Sequence, residues 1–219
     1  MKKTVIINRA VPGSGKTTIS NCVLTYLKAL DIPVKIHSTD EFFLTEDGRY
    51  VFDKEKLCGF HQLNFLNFEK SLRSEKPVVI CDNTNLIPWQ TVPYTDAARK
   101  WGYQILFVTF VPRGLEKHVQ SQMVTPEKPD AHGVSREVLI RFIDEYETYN
   151  VLLNRTEAID QSLHKNYEWD LELNSRVESE KPCPHFDLDK TIVIQPDEYH
   201  NIKRTIGSEI YKFMENGCE

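Results

Sequence analysis

One stretch of this chain carries residue types spaced for phosphate chemistry. Ala10-Val-Pro-Gly-Ser-Gly-Lys-Thr17 nearly repeats the pattern Gly, four residues, then Gly-Lys-Ser/Thr. Gly13 and Gly15 can turn successive N–H groups inward on phosphate oxygens. Lys16 is placed to reach the β- and γ-phosphates of a nucleotide, and the Thr17 hydroxyl to coordinate Mg²⁺. Ser14 and Thr18 complete the expected set of ATP contacts. Ala10 stands where a first glycine is usual. Alanine costs little there provided its φ is negative.

A second carboxylate belongs to the same chemistry. Pro77-Val-Val-Ile-Cys81 reads as a buried strand, and Asp82 follows it directly. An Asp at that strand end can hold Mg²⁺, directly or through water, or can simply start a turn. Asn83, Thr84 and Asn85 come next. They can orient an acceptor or a nucleotide, or hold an Asx-type turn.

The elements that must position these groups alternate. Strands are expected at Lys3–Ile7, Val34–His37, Pro77–Cys81, Tyr103–Phe110 and Thr191–Ile194. Helices are expected from Lys16 to about Leu30, Lys54 to Arg73, Trp89 to Trp101, 113 to 123, Ser135 to Leu153 and about Asp197 to Met214. Residues 44 to 53 read as a turn, and Thr125–Asp130 as a loop. The phosphate pattern therefore follows a strand and opens a helix, whose N-terminus adds partial positive charge. Alternation of this kind implies an α/β fold with a mostly parallel five-stranded sheet covered on both faces, a three-layer arrangement.

Residues 155 to 190 are polar and aperiodic, and Pro182 and Pro184 argue against regular structure there. The expected organisation is a core over 1–154, an irregular insertion over 155–190, and a final strand and helix over 191–219 that complete the core.

Composition excludes several classes. The longest apolar runs are far too short to cross a bilayer, so no membrane role is expected. The five cysteines form no C-x-x-C pair, which fits reduced thiols in a cytoplasmic protein. The net charge of −5 argues against a broad nucleic-acid groove, though not against a pocket for one nucleotide or one strand end.

Three further segments lie in one order: His37-Ser-Thr-Asp-Glu-Phe-Phe43, Cys81-Asp-Asn-Thr-Asn-Leu86 and His132-Gly-Val-Ser-Arg136. With them the chain resembles the P-loop kinase family of the phage polynucleotide kinase domain. It is more closely similar to the AAA-type ATP-binding proteins of the ubiquitin-ligase-binding-protein branch. That branch shares the Asp47-Gly48…Tyr50…Phe52 stretch, His61, Asn64 and the His-Gly-Val lid. The resemblance covers residues 3 to 153 and implies a P-loop NTPase/kinase fold with strand order 2-3-1-4-5. It implies that Asp40 is the general base on an acceptor hydroxyl, with Lys16 as its catalytic partner. A carboxylate in reach of an alcohol can take its proton as the oxygen attacks. The same Asp40 could instead cap a helix beginning at Glu41, a task for which Thr39 competes. His61 and Asn64, three apart on a helix, share a face that either lines the acceptor site or is bland surface. His132 is either a lid residue or a solvent-exposed loop histidine.

Two departures matter. The phage enzyme family has an acceptor-gripping arginine three residues after its catalytic Asp, and here that position is Phe43. The family also has an Arg-Asn pair before its lid. By alignment from Val111-Pro112 the arginine position falls near Val119, with Gln120 next, and no arginine occurs between Arg113 and Arg136. A transition-state arginine is worth about 10³ to 10⁵ in rate. Lys117, Lys128, Arg136 or Arg141 could substitute if a lid over 113–141 folds inward.

The expected activity is therefore an ATP·Mg²⁺-dependent transfer of the γ-phosphate to a hydroxyl, possible acceptors being a polynucleotide 5′-OH or a nucleoside. Two alternatives stand beside it. One is a nucleotide-gated binding module with weak or no catalysis and a protein partner not identified. The other is a toxin-like kinase of a nucleotide sugar.

Overall fold

Thr4–Arg9 forms β1, and all six of its residues are buried. A strand buried on both faces must sit inside a sheet covered by helices. The computed structural model describes residues 1–129, 131–153, 166–170, 175–179 and 191–216. In it β1 lies at the centre of a five-stranded sheet. The other strands are β2 (Val34–His37), β3 (Val78–Cys81), β4 (Gln104–Phe110) and β7 (Thr191–Ile194). Their order is β2-β3-β1-β4-β7, which is 2-3-1-4-5 when these five strands are counted along the chain. Every pairing in this sheet is parallel.

Alternate residues of the central strands face opposite layers, as the two-residue period of a strand requires. Ile6, Ile80, Leu106 and Val108 pack with Ile19, Val23 and Leu27 of α1 (Lys16–Lys28) and Ile206, Ile210 and Met214 of α6 (Tyr199–Asn216). Val5, Ile7, Val79 and Phe107 face the other way. They meet Phe68 and Leu72 of α2 (Leu57–Arg73) and Tyr94, Ala97 and Ala98 of α3 (Pro88–Lys100). Each such apolar side chain contributes about 1.5–3 kcal/mol on burial. A third cluster joins Val11 and Leu86 to Leu139 and Tyr146 of α5 (Arg136–Leu153), with Val119 of α4 (Leu115–Gln122) against it.

Helix and strand bounds fall within about three residues of expectation, with three differences. Thr39–Phe43 is a 3₁₀ turn without a side-chain cap, so neither Asp40 nor Thr39 does the capping work considered above. Within 155–190 the described residues pair as an antiparallel hairpin, β5 (Asn166–Asp170) with β6 (Ser175–Ser179). The remainder of that segment, Pro182 and Pro184 included, lies outside the described residues. Thirdly, α2 starts at Leu57 rather than Lys54. Among the described residues no helix is long and apolar enough to cross a membrane. Cys22, Cys58 and Cys81 are free thiols.

Gly207 brings α6 onto α1. A Cβ built there collides with Cβ and Cγ of Tyr26. Alanine normally favours a helix interior over glycine by about 1 kcal/mol. Here the collision reverses the sign, because overpacking costs about 1–3 kcal/mol. Gly207→Ala is expected to lower the melting temperature by several degrees, and an unchanged or raised midpoint in thermal unfolding would show that the two helices do not meet this closely.

Candidate functional site

The loop between β1 and α1 has the geometry of an anion cradle. Gly13 and Gly15 take φ of 81° and 89°, the left-handed region open to glycine. Ala10 is not among the residues with positive φ, so alanine carries no strain there. Its N–H donates to Thr84 O at 2.9 Å, which ties the start of the loop to the end of β3. Lys16 and Ser14 are buried, while Thr17 and Thr18 are exposed at the start of α1.

The end of β3 is locked to β1 by polar side chains. Asn8 Nδ2 donates to Asp82 Oδ1 at 2.7 Å and to Ser20 Oγ at 2.8 Å. The other Asp82 oxygen, Oδ2, is buried and has no partner. Arg9 is buried, and its fork holds the backbone oxygens of Asn85 and Leu86, each at 3.3 Å. Burial lowers its pKa to about 10, against a favourable pull from Tyr146. Asn85 takes φ of 49°, and its amide donates to Asn8 O at 2.9 Å. Asn85 is therefore a strut of the loop. Asn83 Oδ1 accepts from the Thr39 N–H at 3.0 Å and so joins β3 to the 3₁₀ turn.

Asp40 lies on that turn. Tyr50 OH donates to its Oδ1 at 3.3 Å, and His132 Nδ1 lies 3.7 Å from its Oδ2. The His132 and Tyr50 rings stack with centroids 4.2 Å apart, and Tyr50 N–H donates to Pro129 O. Burial and the charge of Asp40 both raise the Tyr50 pKa, so the phenol stays a donor. The neighbouring Glu41 carboxyl is pushed up by burial and by Asp82, with Lys35 opposing.

The other expected acceptor residues divide. His61 is exposed, and its Nδ1 lies 3.0 Å from Thr39 Oγ1. Asn64 is buried and donates to Tyr94 OH at 3.2 Å, so it does not share an open surface with His61. Phe43 is buried beneath Tyr50, Phe52 and Phe60, and it supports the loop that carries Tyr50.

Among the lid candidates only Lys117 lines a cleft beside the phosphate loop. That cleft, about 540 Å³, is lined by Arg113, Lys117, Gln120, Ser121, Pro196, Tyr199 and His200. Lys128 Nζ donates to Ser121 O. Arg136 pairs with Glu116 at 2.6 Å, and Arg141 pairs with Glu145 at 3.6 Å.

Sequence reasoning missed the residues that grip the loop from this side. Arg113 Nη2 donates to Gly13 O. The Arg113 N–H donates to His118 Nε2 at 3.0 Å, which leaves the proton on Nδ1 to donate to Pro12 O at 2.8 Å. Tyr199 OH donates to Gly15 O at 3.1 Å. Asn8 and Arg9 were missed too. Two polar residues closing an apolar strand beside a phosphate loop were the only signal available.

His37, at the end of β2, is buried with Nε2 2.9 Å from Ser71 Oγ. Burial first, and Lys35 second, lower its pKa to about 4. Above pH 6.5 the ring is neutral in both folded and unfolded chains. Between pH 6.5 and about 4 the unfolded chain takes up a proton that the folded chain refuses. Stability therefore falls as pH drops through that window, by up to about 3 kcal/mol from this group. Denaturant midpoints measured from pH 7 to pH 4 are expected to show a steeper loss for the parent than for His37→Gln; parallel curves would mean that His37 does not carry it.

A family model described as "Chromatin associated protein KTI12" matches residues 4–170. That is well over half of the chain, and the chain belongs to this family. It is 28% identical over 151 residues to NEDD4-binding protein 2 of Homo sapiens, covering 66% of this chain and 8% of that protein. The chain thus spans only a small part of that curated relative. Among solved structures, Kti12 of Chaetomium thermophilum in complex with ADP-AlF3 matches with a TM-score of 0.55 at 15% identity, over 95% of this chain and 97% of that one. The Mycobacterium tuberculosis APS kinase CysC, in complex with AMPPNP and APS, matches with a TM-score of 0.51 at 10% identity, over 98% and 99%. These likenesses show the fold, that of the P-loop kinases.

Proposed function

We propose that this member of the KTI12 family binds ATP with Mg²⁺ and transfers the γ-phosphate to an acceptor hydroxyl. One observation carries the reading. Four buried side-chain atoms without a partner, Ser14 Oγ, Asp82 Oδ2, Arg113 Nε and Gln122 Oε1, belong to residues on or around the phosphate loop. An unpartnered buried polar atom costs about 1–3 kcal/mol. Their gathering at a loop with left-handed glycines supports a polyanionic ligand with its cation. The neighbours solved with ADP-AlF3 and with AMPPNP support a nucleotide as that ligand.

The roles follow from placement. N–H groups of residues 13–18 hold the phosphate chain, and Lys16 offsets its charge. Thr17 Oγ1 and Asp82 would be the oxygen donors for Mg²⁺, and the bare, buried Asp82 Oδ2 suits a cation. When bound, Mg²⁺ neutralises charge on the phosphate oxygens. Asp40 takes the proton of the acceptor hydroxyl as its oxygen bonds to the γ-phosphorus and the bond to the β–γ bridging oxygen breaks, releasing ADP. Tyr50 holds the Asp40 carboxylate in place. Exposed His61 and half-buried Thr84 remain candidates for acceptor contact.

The closer resemblance to the ubiquitin-ligase-binding branch is part of this proposal. Free cysteines fit a cytoplasmic setting. A polynucleotide 5′-OH and a nucleoside are the first acceptors to try. The role of 155–190 as an insertion is part of the same proposal.

Labelled γ-phosphate transfer to a panel of 5′-hydroxyl oligonucleotides, nucleosides and small alcohols tests the reading. Lys16→Ala is expected to weaken ATP binding at least about tenfold. Asp40→Asn is expected to keep ATP affinity and lose about 10² to 10⁴ in transfer rate. Undiminished transfer by Asp40→Asn would remove Asp40 as the base. Tight ATP binding with no acceptor in the panel would favour the nucleotide-gated binding module instead.

A further inference from the structure

The lid lacks an arginine where related kinases carry one, and three of its other cations are engaged. Lys128 rests on a backbone carbonyl, Arg136 on Glu116, and Arg141 on Glu145 and the Phe142 ring. Resting on the nucleotide-binding reading above, we infer that Arg113 supplies the missing cation, from the corner between β4 and α4, and contacts the phosphate chain during transfer.

Four features place it there. Its guanidinium already touches the phosphate loop, through Nη2 on the Gly13 carbonyl. Its Nε is buried with no partner, so the fork is only part-satisfied without a ligand. Its backbone is anchored to the same loop through His118, which bridges the Arg113 N–H to Pro12 O. The side chain also lines the open cleft beside the loop, so a ligand can reach it.

The chemistry favours exchange of partners. A carbonyl is a neutral acceptor, whereas a phosphate oxygen makes a charge-assisted bond of roughly twice the strength. A guanidinium resting on Gly13 O can turn onto phosphate with little movement. Gln122 also approaches Gly13, its Nε2 2.9 Å from where a Cβ would lie. Its Oε1 is buried without a partner. Arg113 and Gln122 thus both reach Gly13, as a cation and an amide, the two chemical types of the Arg-Asn pair, brought together from either end of α4. Lys117 shares the cleft but is exposed and holds no contact with the loop.

The test compares binding of ADP with binding of ADP plus aluminium fluoride, a planar mimic of the phosphoryl group in flight. Calorimetry on the parent, Arg113→Ala, Arg113→Lys, Lys117→Ala and Lys16→Ala gives both affinities. Arg113→Ala is expected to keep ADP affinity within about threefold and to lose about 10² or more of the extra affinity for the fluoride complex. Arg113→Lys keeps the charge but not the fork, and is expected to lose part of it at an unchanged melting temperature. Lys117→Ala is expected to lose little. Retention of the fluoride complex by Arg113→Ala overturns the inference. If that variant does not fold, retention by Arg113→Lys overturns it equally. A parent that binds ADP but gains nothing from fluoride has no such cation, and that also overturns it while leaving nucleotide binding intact. A parent that binds no ADP, like Lys16→Ala, overturns the nucleotide reading and this inference with it.

Discussion

The site depends on one steric constraint, the absence of side chains at Gly13 and Gly15. At Gly13 a Cβ would collide with Ser121 Oγ, and at Gly15 with the Tyr199 hydroxyl. Both residues also need φ near +85°. Because the loop is bare on that side, α4 and the start of α6 can approach its backbone. Arg113, His118 and Tyr199 then take its carbonyls at Gly13, Pro12 and Gly15. With those carbonyls held from outside the loop, the N–H groups at the start of α1 are open to a ligand, while the Ser14 N–H donates to Val11 O at 3.1 Å. The same three contacts hold α4 and the start of α6 in place, so the fold and the site share one set of bonds.

The other side of the loop is held by charge and amide chemistry. β1 runs beside β3 in parallel register from Thr4↔Val78 to Ile7↔Cys81. The register brings Asn8 and Arg9 level with the chain leaving β3. Asn8 orients Asp82 by one oxygen, and Arg9 fixes the backbone at Asn85 and Leu86. Burying a guanidinium is costly, and the depressed Arg9 pKa reports that cost. It is offset by anchoring a loop that has no secondary structure of its own. Asp82 is thereby aimed before any ligand arrives, which is preorganisation in the sense that matters for charge stabilisation.

The sheet was legible because its signal is dense. Uniform apolar runs at β1, β3 and β4, separated by helical stretches, leave few alternatives to a parallel α/β sheet. Local pattern also found the phosphate loop, since its glycines and lysine are adjacent in sequence. The hairpin β5–β6 was not legible, because Asn166–Asp170 and Ser175–Ser179 present little apolar alternation. Arg113 was passed over for a different reason. It lies 100 residues from Gly13, and no local period announces a contact set by how β4 and the loop meet in space. Asn64 erred in the opposite direction. Its spacing from His61 placed both on one face, but helix faces are wide, and Asn64 turns to Tyr94 in the interior.

The acceptor side shows how one substitution reshapes a site. Where a related kinase family carries a phosphate-gripping arginine, Phe43 is buried in an aromatic cluster with Tyr50, Phe52 and Phe60. That cluster is built from the hairpin-like turn in which Leu44 bridges Tyr50. Through it Tyr50 is brought to Asp40, and His132 of the lid stacks on Tyr50. An arginine at 43 would need water or an anion and could not sit in this interior. Its loss therefore removes an anion grip and supplies an apolar support for the Tyr50 hydroxyl in one step. The carboxylate of Asp40 is then held by the Tyr50 hydroxyl on one oxygen, with the His132 ring beside the other, and the aromatic cluster supports both contacts from below.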